Sequence, residues 1–251
     1  AKYDDAYWLA RDRDGGFPDD FVADIAGGGW LGVAMPEAYG GSGLGVTEAA
    51  IVAQTIAESG ACLSGASAIH INLFGPMPVV VTEPDAGLNT TAISTKAKWD
   101  GKSYVVHGRK MWTSTAQTAN KILLLARTTP KDKCAKPTEG LSLFYTNLDR
   151  GGATEVREIE KMGRKAVDSN AVFFDGLRIP KEDLIGEEGK GFHYLLHGLN
   201  PERVLIGAEA VGVGRIALKK ATDYAREREV FGRPIGKNQA IQHPLAKCWA
   251  E

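Results

Sequence analysis

The stretch between residues 81 and 185 most constrains what this chain can fold into. Short runs at 92–99, 104–106, 121–126, 141–145 and 171–174 are rich in β-branched and aromatic residues. Turn-forming pairs divide them: Asp100-Gly101, His107-Gly108, Thr129-Pro130, Gly151-Gly152 and Asp175-Gly176. Runs of this length separated by such turns fold back as hairpins. A parallel sheet needs crossover segments of helical length, and none lies between these runs. An antiparallel β barrel or sandwich is expected here.

Both flanks read as helix. Phe21, Val22, Ile25 and Ala26 share a helical face, and Gly27-Gly28-Gly29 stops that helix. A second helix is expected over 47–59, started by Thr47, with Ile51, Val52, Thr55 and Ile56 as its apolar stripe. The glycine-rich stretch Gly40-Gly41-Ser42-Gly43-Leu44-Gly45 has no preceding strand, no dinucleotide-binding spacing and no phosphate-loop lysine. It reads as a connector. After residue 185, Asn200-Pro201 predicts a helix start, with Asn as cap and Pro at the first helical position. Apolar positions recur from Val204 and Leu205 to Tyr224, and Gly212-Val213-Gly214 inside them reads as close helix packing. The segment 231–236 ends this helix, and Gln239 begins another. The expected class is α+β multidomain. A helical domain (1–80) precedes a central antiparallel β barrel (81–185) and the start of a C-terminal helical bundle (186–251).

Composition excludes several functions. The formal net charge is -1, which gives no electrostatic support for nucleic-acid or anionic-membrane binding. Cys62, Cys134 and Cys248 are odd in number and form no closely spaced pair, so neither a disulfide framework nor a zinc site is expected. Reduced cysteines fit the bacterial cytoplasm or the mitochondrial matrix rather than secretion. No apolar run of membrane-spanning length is present. His193 and His197 are four apart on a helix, but no third ligand stands at metal-site spacing, so no metal is expected.

Four blocks occur in a fixed order. The first is Val81-Thr82-Glu83-Pro84-Asp85-Ala86-Gly87, and the second is Arg109-Lys110-Met111-Trp112-Thr113-Ser114. The third is Lys161-Met162-Gly163-Arg164 with Asp168-Ser169, followed by Val172-Phe173-Phe174-Asp175-Gly176-Leu177-Arg178-Ile179-Pro180. The last is Arg228-Glu229-Val230-Phe231-Gly232-Arg233 with Asn238-Gln239-Ala240-Ile241-Gln242. Together they resemble the acyl-CoA dehydrogenase family of flavoproteins over nearly the whole chain. Members of that family carry a further helical stretch after the position of Glu251. They also have a polar helix and connector before the strand at Val81. The resemblance therefore implies a fragment that lacks an internal segment near residue 80 and the C-terminal helices.

The resemblance implies FAD as cofactor and α,β-dehydrogenation of an acyl-CoA thioester to the trans-enoyl-CoA. Electrons would pass to an electron-transfer flavoprotein, as in β-oxidation of fatty acids. Trp112 would cover an edge of the flavin ring, with Thr113 and Ser114 bonding its polar edge. Val81 and Thr82 would run along the flavin and its ribityl chain. Arg228 would reach the pyrophosphate of a neighbouring subunit's FAD, a task suited to a bidentate guanidinium. Phe231, Asn238 and Gln239 would flank that cofactor. This shared arrangement implies a homodimer or homotetramer in the complete protein. Leu88 stands where relatives often have a serine that touches cofactor or CoA, and Asn89 or Thr90 could take over that contact. Asn200 and Arg203 would lie against the thioester and CoA. Glu202 would be the catalytic base, as in the isovaleryl and long-chain branches, stabilised as the anion in the first turn of its helix. Two other readings stand beside this one: a noncatalytic truncated remnant, and an acyl-CoA oxidase or flavin monooxygenase relative on the same fold.

Overall fold

A computed structural model of the chain describes residues 2–73 and 78–251. Contacts divide it into two compact units. One comprises 1–12, 18–73 and 203–251; the other comprises 13–17 and 74–202.

The first unit is helical. Its N-terminal part contains α1 (Asp5–Asp14), α2 (Asp19–Gly27), α3 (Val46–Ile56) and α4 (Cys62–Leu73). Trp8 and Phe21 meet edge to face, 5.0 Å between ring centroids. They share a core with Val33, Ile56, Ile69 and Leu205. The triple glycine ends α2 as expected. The second helix departs from expectation at its start and on its buried face. It begins at Val46, because Gly45 is the cap and its N–H donates to Glu48 Oε2 at 2.9 Å. Its buried positions are Ala49, Ala53 and Ile56, whereas Ile51 is 59% exposed. Alanine is needed on this face because a partner helix approaches closely. A Cβ built at Gly212 would stand 2.4 Å from Gln54 O and 2.8 Å from Ala57 Cβ. The expected close packing thus belongs to Gly212, while a Cβ at Gly214 would meet nothing. Within the expected helical domain 1–80, α4 runs to Leu73 and Val79–Val80 is already strand; residues 74–77 lie outside the described residues.

The second unit is built on a sheet of β1 (Val79–Val80), β2 (Lys96–Trp99), β3 (Tyr104–Ser114), β4 (Lys121–Arg127), β5 (Leu141–Asn147), β6 (Thr154–Glu158), β7 (Ser169–Ile179) and β8 (Leu184–Ile185). The strand order is β6-β7-β3-β2-β4-β5-β8, with β1 beside β4. The long ladders, β3 with β7 and β4 with β5, are antiparallel as expected. Two short pairings, β1 with β4 and β2 with β4, are parallel. Among the described residues no ladder joins β8 back to β6. Val106, Ile122, Leu124, Phe144, Val172 and Ile179 fill the core of the sheet.

The C-terminal helix α5 (Gly191–Glu227) corrects the expected start at Asn200-Pro201, for Pro201 lies inside one continuous helix. The helix is nucleated upstream. His193 N–H donates to Lys190 O at 3.0 Å. A Cβ at Gly191 would fall 2.3 Å from Leu143 N, so only glycine lets the first turn rest on β5. Phe192, Leu195 and Leu199 then pack with Leu125, Leu141 and Leu143. Pro201 lacks one backbone donor and otherwise accepts a helical φ, a local cost that the packed flanks absorb. After α5, β9 (Glu229–Val230) and β10 (Arg233–Pro234) form a two-residue hairpin, and α6 (Gln239–Ala250) begins as expected at Gln239. Among the described residues no helix is long and apolar enough to cross a membrane.

Candidate functional site

The second half of β3 carries an irregularity that aims its side chains. Lys110 pairs with Val172 and Thr113 with Asn170, so β3 holds one more residue than β7 between these pairs. This is a β-bulge. Within it Trp112 takes φ +60, a left-handed backbone that bulky residues rarely adopt. Its indole is 54% exposed, while the next residue, Thr113, is buried. Thr115 is also left-handed, at φ +57, so strained residues bracket Thr113 and Ser114. Such outliers persist where the surroundings over-determine them, commonly at functional sites.

The surroundings here are polar and buried. Lys110 Nζ lies 3.0 Å from Glu83 Oε1, with side-chain exposures of 0% and 4%. The same ammonium donates to Val81 O at 2.8 Å, and Met111 N–H donates to Thr82 O at 2.8 Å. Glu83 also accepts from Ser94 N–H at 2.7 Å, Ser94 Oγ at 2.8 Å and Thr95 N–H at 3.0 Å. Burial pushes the Glu83 carboxyl up, but the Lys110 ammonium and these donors outweigh it and hold the group at about 2. Burial pushes Lys110 down to about 8 against the pull of Glu83. Val81-Thr82 and the Trp112 bulge are therefore fastened to each other from beneath.

A second network holds the far end. Asn170 Nδ2 donates to Thr113 O at 3.0 Å and also to Asp168, which accepts from Thr115 N–H at 3.1 Å. Gln117 Nε2 donates to Asn170 Oδ1 at 2.7 Å. The Thr113 hydroxyl is buried without a hydrogen-bond partner among the described residues.

The motifs had drawn attention to Trp112, Thr113, Ser114, Val81 and Thr82, and the fold brings these into one neighbourhood of the sheet unit. Glu83, Lys110 and Asp168 stand in the motif blocks without an expected role, and Asn170 lies outside them; the structure makes all four tethers. A signal for Lys110 was present, since strand alternation puts it on the side of Tyr104 and Val106, where a lysine requires an acidic partner. Leu88 is fully exposed.

The remaining candidates lie on or after α5. Glu202 is half-buried on α5 and, because that helix starts at Gly191, stands well past its first turn. The expected support from the helix N-terminus therefore does not apply. Asn200 and Arg203 flank it on the same helix, and both are exposed. Arg228 follows the helix end with an exposed side chain; its carbonyl accepts from Ile235 N–H at 2.8 Å. Phe231 and Gly232, at φ +54 and +71, form the type I′ turn of the hairpin, and Phe231 is 100% exposed. Asn238 Oδ1 accepts from Arg233 at 2.8 Å, and Gln239 is exposed.

Three family models match the chain in succession: the N-terminal domain of acyl-CoA dehydrogenase over residues 4–82, the middle domain over 79–177 and the C-terminal domain over 189–251. Acyl-CoA dehydrogenase FadE12 of Mycobacterium tuberculosis is 32% identical, over 100% of this chain and 70% of that protein. Benzylmalonyl-CoA dehydrogenase of Aromatoleum aromaticum is 34% identical, over 94% of this chain and 68% of that protein. The crystal structure of a probable acyl-CoA dehydrogenase from Mycobacterium abscessus superposes with a TM-score of 0.84 at 30% identity, over 98% of this chain and 70% of that one. With its family models, its relatives and its fold in agreement, the chain belongs to the acyl-CoA dehydrogenase family, oxidoreductases that act on acyl-CoA.

Proposed function

We propose that this chain holds FAD against the Trp112 bulge and takes part in α,β-dehydrogenation of an acyl-CoA thioester. The observation that carries the reading is the exposed, left-handed Trp112 beside Thr113 and Ser114, fastened to Val81-Thr82 by a buried ion pair. These residues suit a flavin. An exposed indole offers an apolar face, and the partnerless Thr113 hydroxyl and the adjacent Ser114 offer hydrogen bonds. Arg228, Phe231, Asn238 and Gln239 present charge, ring and amide groups suited to a phosphate-bearing cofactor, in this reading that of a second copy. When bound, FAD supplies acceptance of the β-hydrogen as hydride. Glu202 takes the α-proton, and Asn200 and Arg203 hold the thioester and CoA. The acceptor is an electron-transfer flavoprotein, and the assembly is a homodimer or homotetramer.

The test is a visible spectrum of the protein after incubation with FAD and desalting, followed by anaerobic addition of an acyl-CoA. Retained flavin that bleaches, and that no longer bleaches in Glu202→Gln, supports the reading. Bleaching that survives Glu202→Gln removes Glu202 as base and favours another role on this fold. Failure to retain flavin favours the second reading, a noncatalytic chain. That reading draws on the exposed apolar residues Ile206, Val211 and Tyr224 of α5 and Trp249 of α6, surfaces of the kind that associate.

A further inference from the structure

The first two turns of α5, which belong to the sheet unit, carry a pair of imidazoles to which the proposed dehydrogenation gives no task. His193 and His197 stand four residues apart, so they project from one side of the helix on successive turns. That side is turned away from the sheet. Phe192, Leu195 and Leu199 pack with Leu141 and Leu143 of β5, while both histidines are exposed. The two ring centroids are 5.2 Å apart and the ring planes cross at 87°. Among the described residues the imidazoles have ring contacts with each other and with Tyr194, and neither has a hydrogen-bond or ion-pair partner. Lys190, the cation next to them in sequence, is held by Glu187, with Nζ 2.6 Å from Oε2.

The ring separation has a chemical meaning. A zinc ion stands about 2.0–2.1 Å from an imidazole nitrogen, hence about 3.2 Å from the ring centre. Two imidazoles sharing one ion at a tetrahedral angle therefore have their centres about 5.2 Å apart. His193 and His197 already have that separation. Each exposed ring needs only rotation about χ2, a broad torsion in histidine, to aim a nitrogen at the shared point. Spacing in sequence predicted no metal, for want of a third ligand. Among the described residues no group of three or more His, Cys, Asp or Glu could hold one. Two imidazoles nevertheless make a bidentate clamp when water fills the remaining positions of the ion. The positive end of the helix dipole opposes a cation here, but that effect is small at an exposed position and acts against two coordinate bonds.

We propose that His193 and His197 form an open surface site for one divalent transition-metal ion of the zinc class. Imidazole nitrogen suits zinc, nickel and copper, whereas magnesium and calcium select oxygen ligands. The ion joins two successive turns and so stiffens the start of α5. It favours the folded chain, because only the helix holds the two imidazoles one turn apart. The site stands independently of the flavin reading.

Calorimetric titration of the protein with zinc chloride, and separately with magnesium chloride, tests this. One equivalent of zinc is expected to bind saturably, and magnesium is expected not to bind at this site. His193→Gln and His197→Gln are each expected to weaken zinc binding about tenfold or more, the loss when a two-point clamp becomes a one-point contact. Both positions are exposed, so each variant is expected to keep the unfolding midpoint measured without zinc. The other exposed ligand types serve as controls: His107, 3.2 Å from Asp175 Oδ1, His243 and Cys248. His107→Gln, His243→Gln and Cys248→Ser are expected to leave zinc affinity unchanged. Absence of saturable zinc binding to the unaltered protein overturns the proposal. So does an affinity that survives either His193→Gln or His197→Gln, or one that falls in any of the three controls.

Discussion

Lys110 Nζ sits 3.0 Å from Glu83 Oε1 with both side chains sealed from solvent, and the strand segment that follows Lys110 is the bulge that exposes Trp112. Removing one member of a buried pair leaves an uncompensated charge. Lys110→Met is expected to destabilise the protein by about 3–5 kcal/mol. The double variant Glu83→Gln with Lys110→Met is expected to recover most of this, because no charge is left stranded. Urea unfolding of the four proteins forms a double-mutant cycle. A single variant costing less than the double would show that the pair is not coupled.

The same pair sets a response to acid. The Glu83 carboxyl is held at about 2, below its ordinary value of about 4.3. A depressed carboxyl contributes stability that is present above its unfolded value and is lost as pH falls toward its folded value. Stability is therefore expected to fall between about pH 4.3 and pH 2, by at most ~1.4 kcal/mol per pH unit from this group. Glu83→Gln should flatten that part of the profile. An acid slope of unchanged steepness in Glu83→Gln would assign the loss to other carboxyls.

Trp112 separates site from scaffold. Its indole is largely exposed and its backbone is left-handed, a conformation that glycine adopts freely. Trp112→Gly is expected to leave the unfolding midpoint unchanged or raise it by up to about 1 kcal/mol of stability. Retention of FAD after desalting is expected to fall. Substantial destabilisation, with flavin retained, would place the indole in the scaffold instead.

Glycines of α5 should respond in opposite directions. Gly212→Ala places a methyl against Gln54 O and Ala57, and is expected to cost about 1–3 kcal/mol through overpacking. Gly207→Ala and Gly214→Ala meet open space and are expected to gain about 0.5–1 kcal/mol from helix propensity. Thermal unfolding of the three variants decides this, and a gain at Gly212 would contradict the packing described.

Short-range information carried much of the fold. The triple glycine after α2 and the start of α6 at Gln239 stand where neighbours in sequence put them, and Asp100-Gly101, Thr129-Pro130 and Gly151-Gly152 lie between strands, whereas His107-Gly108 and Asp175-Gly176, expected as turns, lie inside β3 and β7 at a register shift of their ladder. Local rules failed where distant contacts competed. Asn200-Pro201 is a strong cap signal, yet α5 starts at Gly191 because the strand β5 accepts its first turn. Ile51 falls on the apolar stripe that the spacing predicts, yet the buried face belongs to alanines that let another helix come close. Likewise, the resemblance marks Glu202, but its distance from the helix end depends on where packing nucleates α5.

The sequence by itself determined the alternation of helical and sheet segments and the residues that mark the family, because periodicity, turns and motif order are properties of neighbouring residues. Only the tertiary structure decided that Lys110 meets Glu83, that Trp112 is turned outward by a bulge, and that His70 meets Glu209 across two helices. Each of these depends on a pairing register or a helix crossing. Those are fixed by burial summed over many distant residues, a quantity that no short stretch of sequence contains.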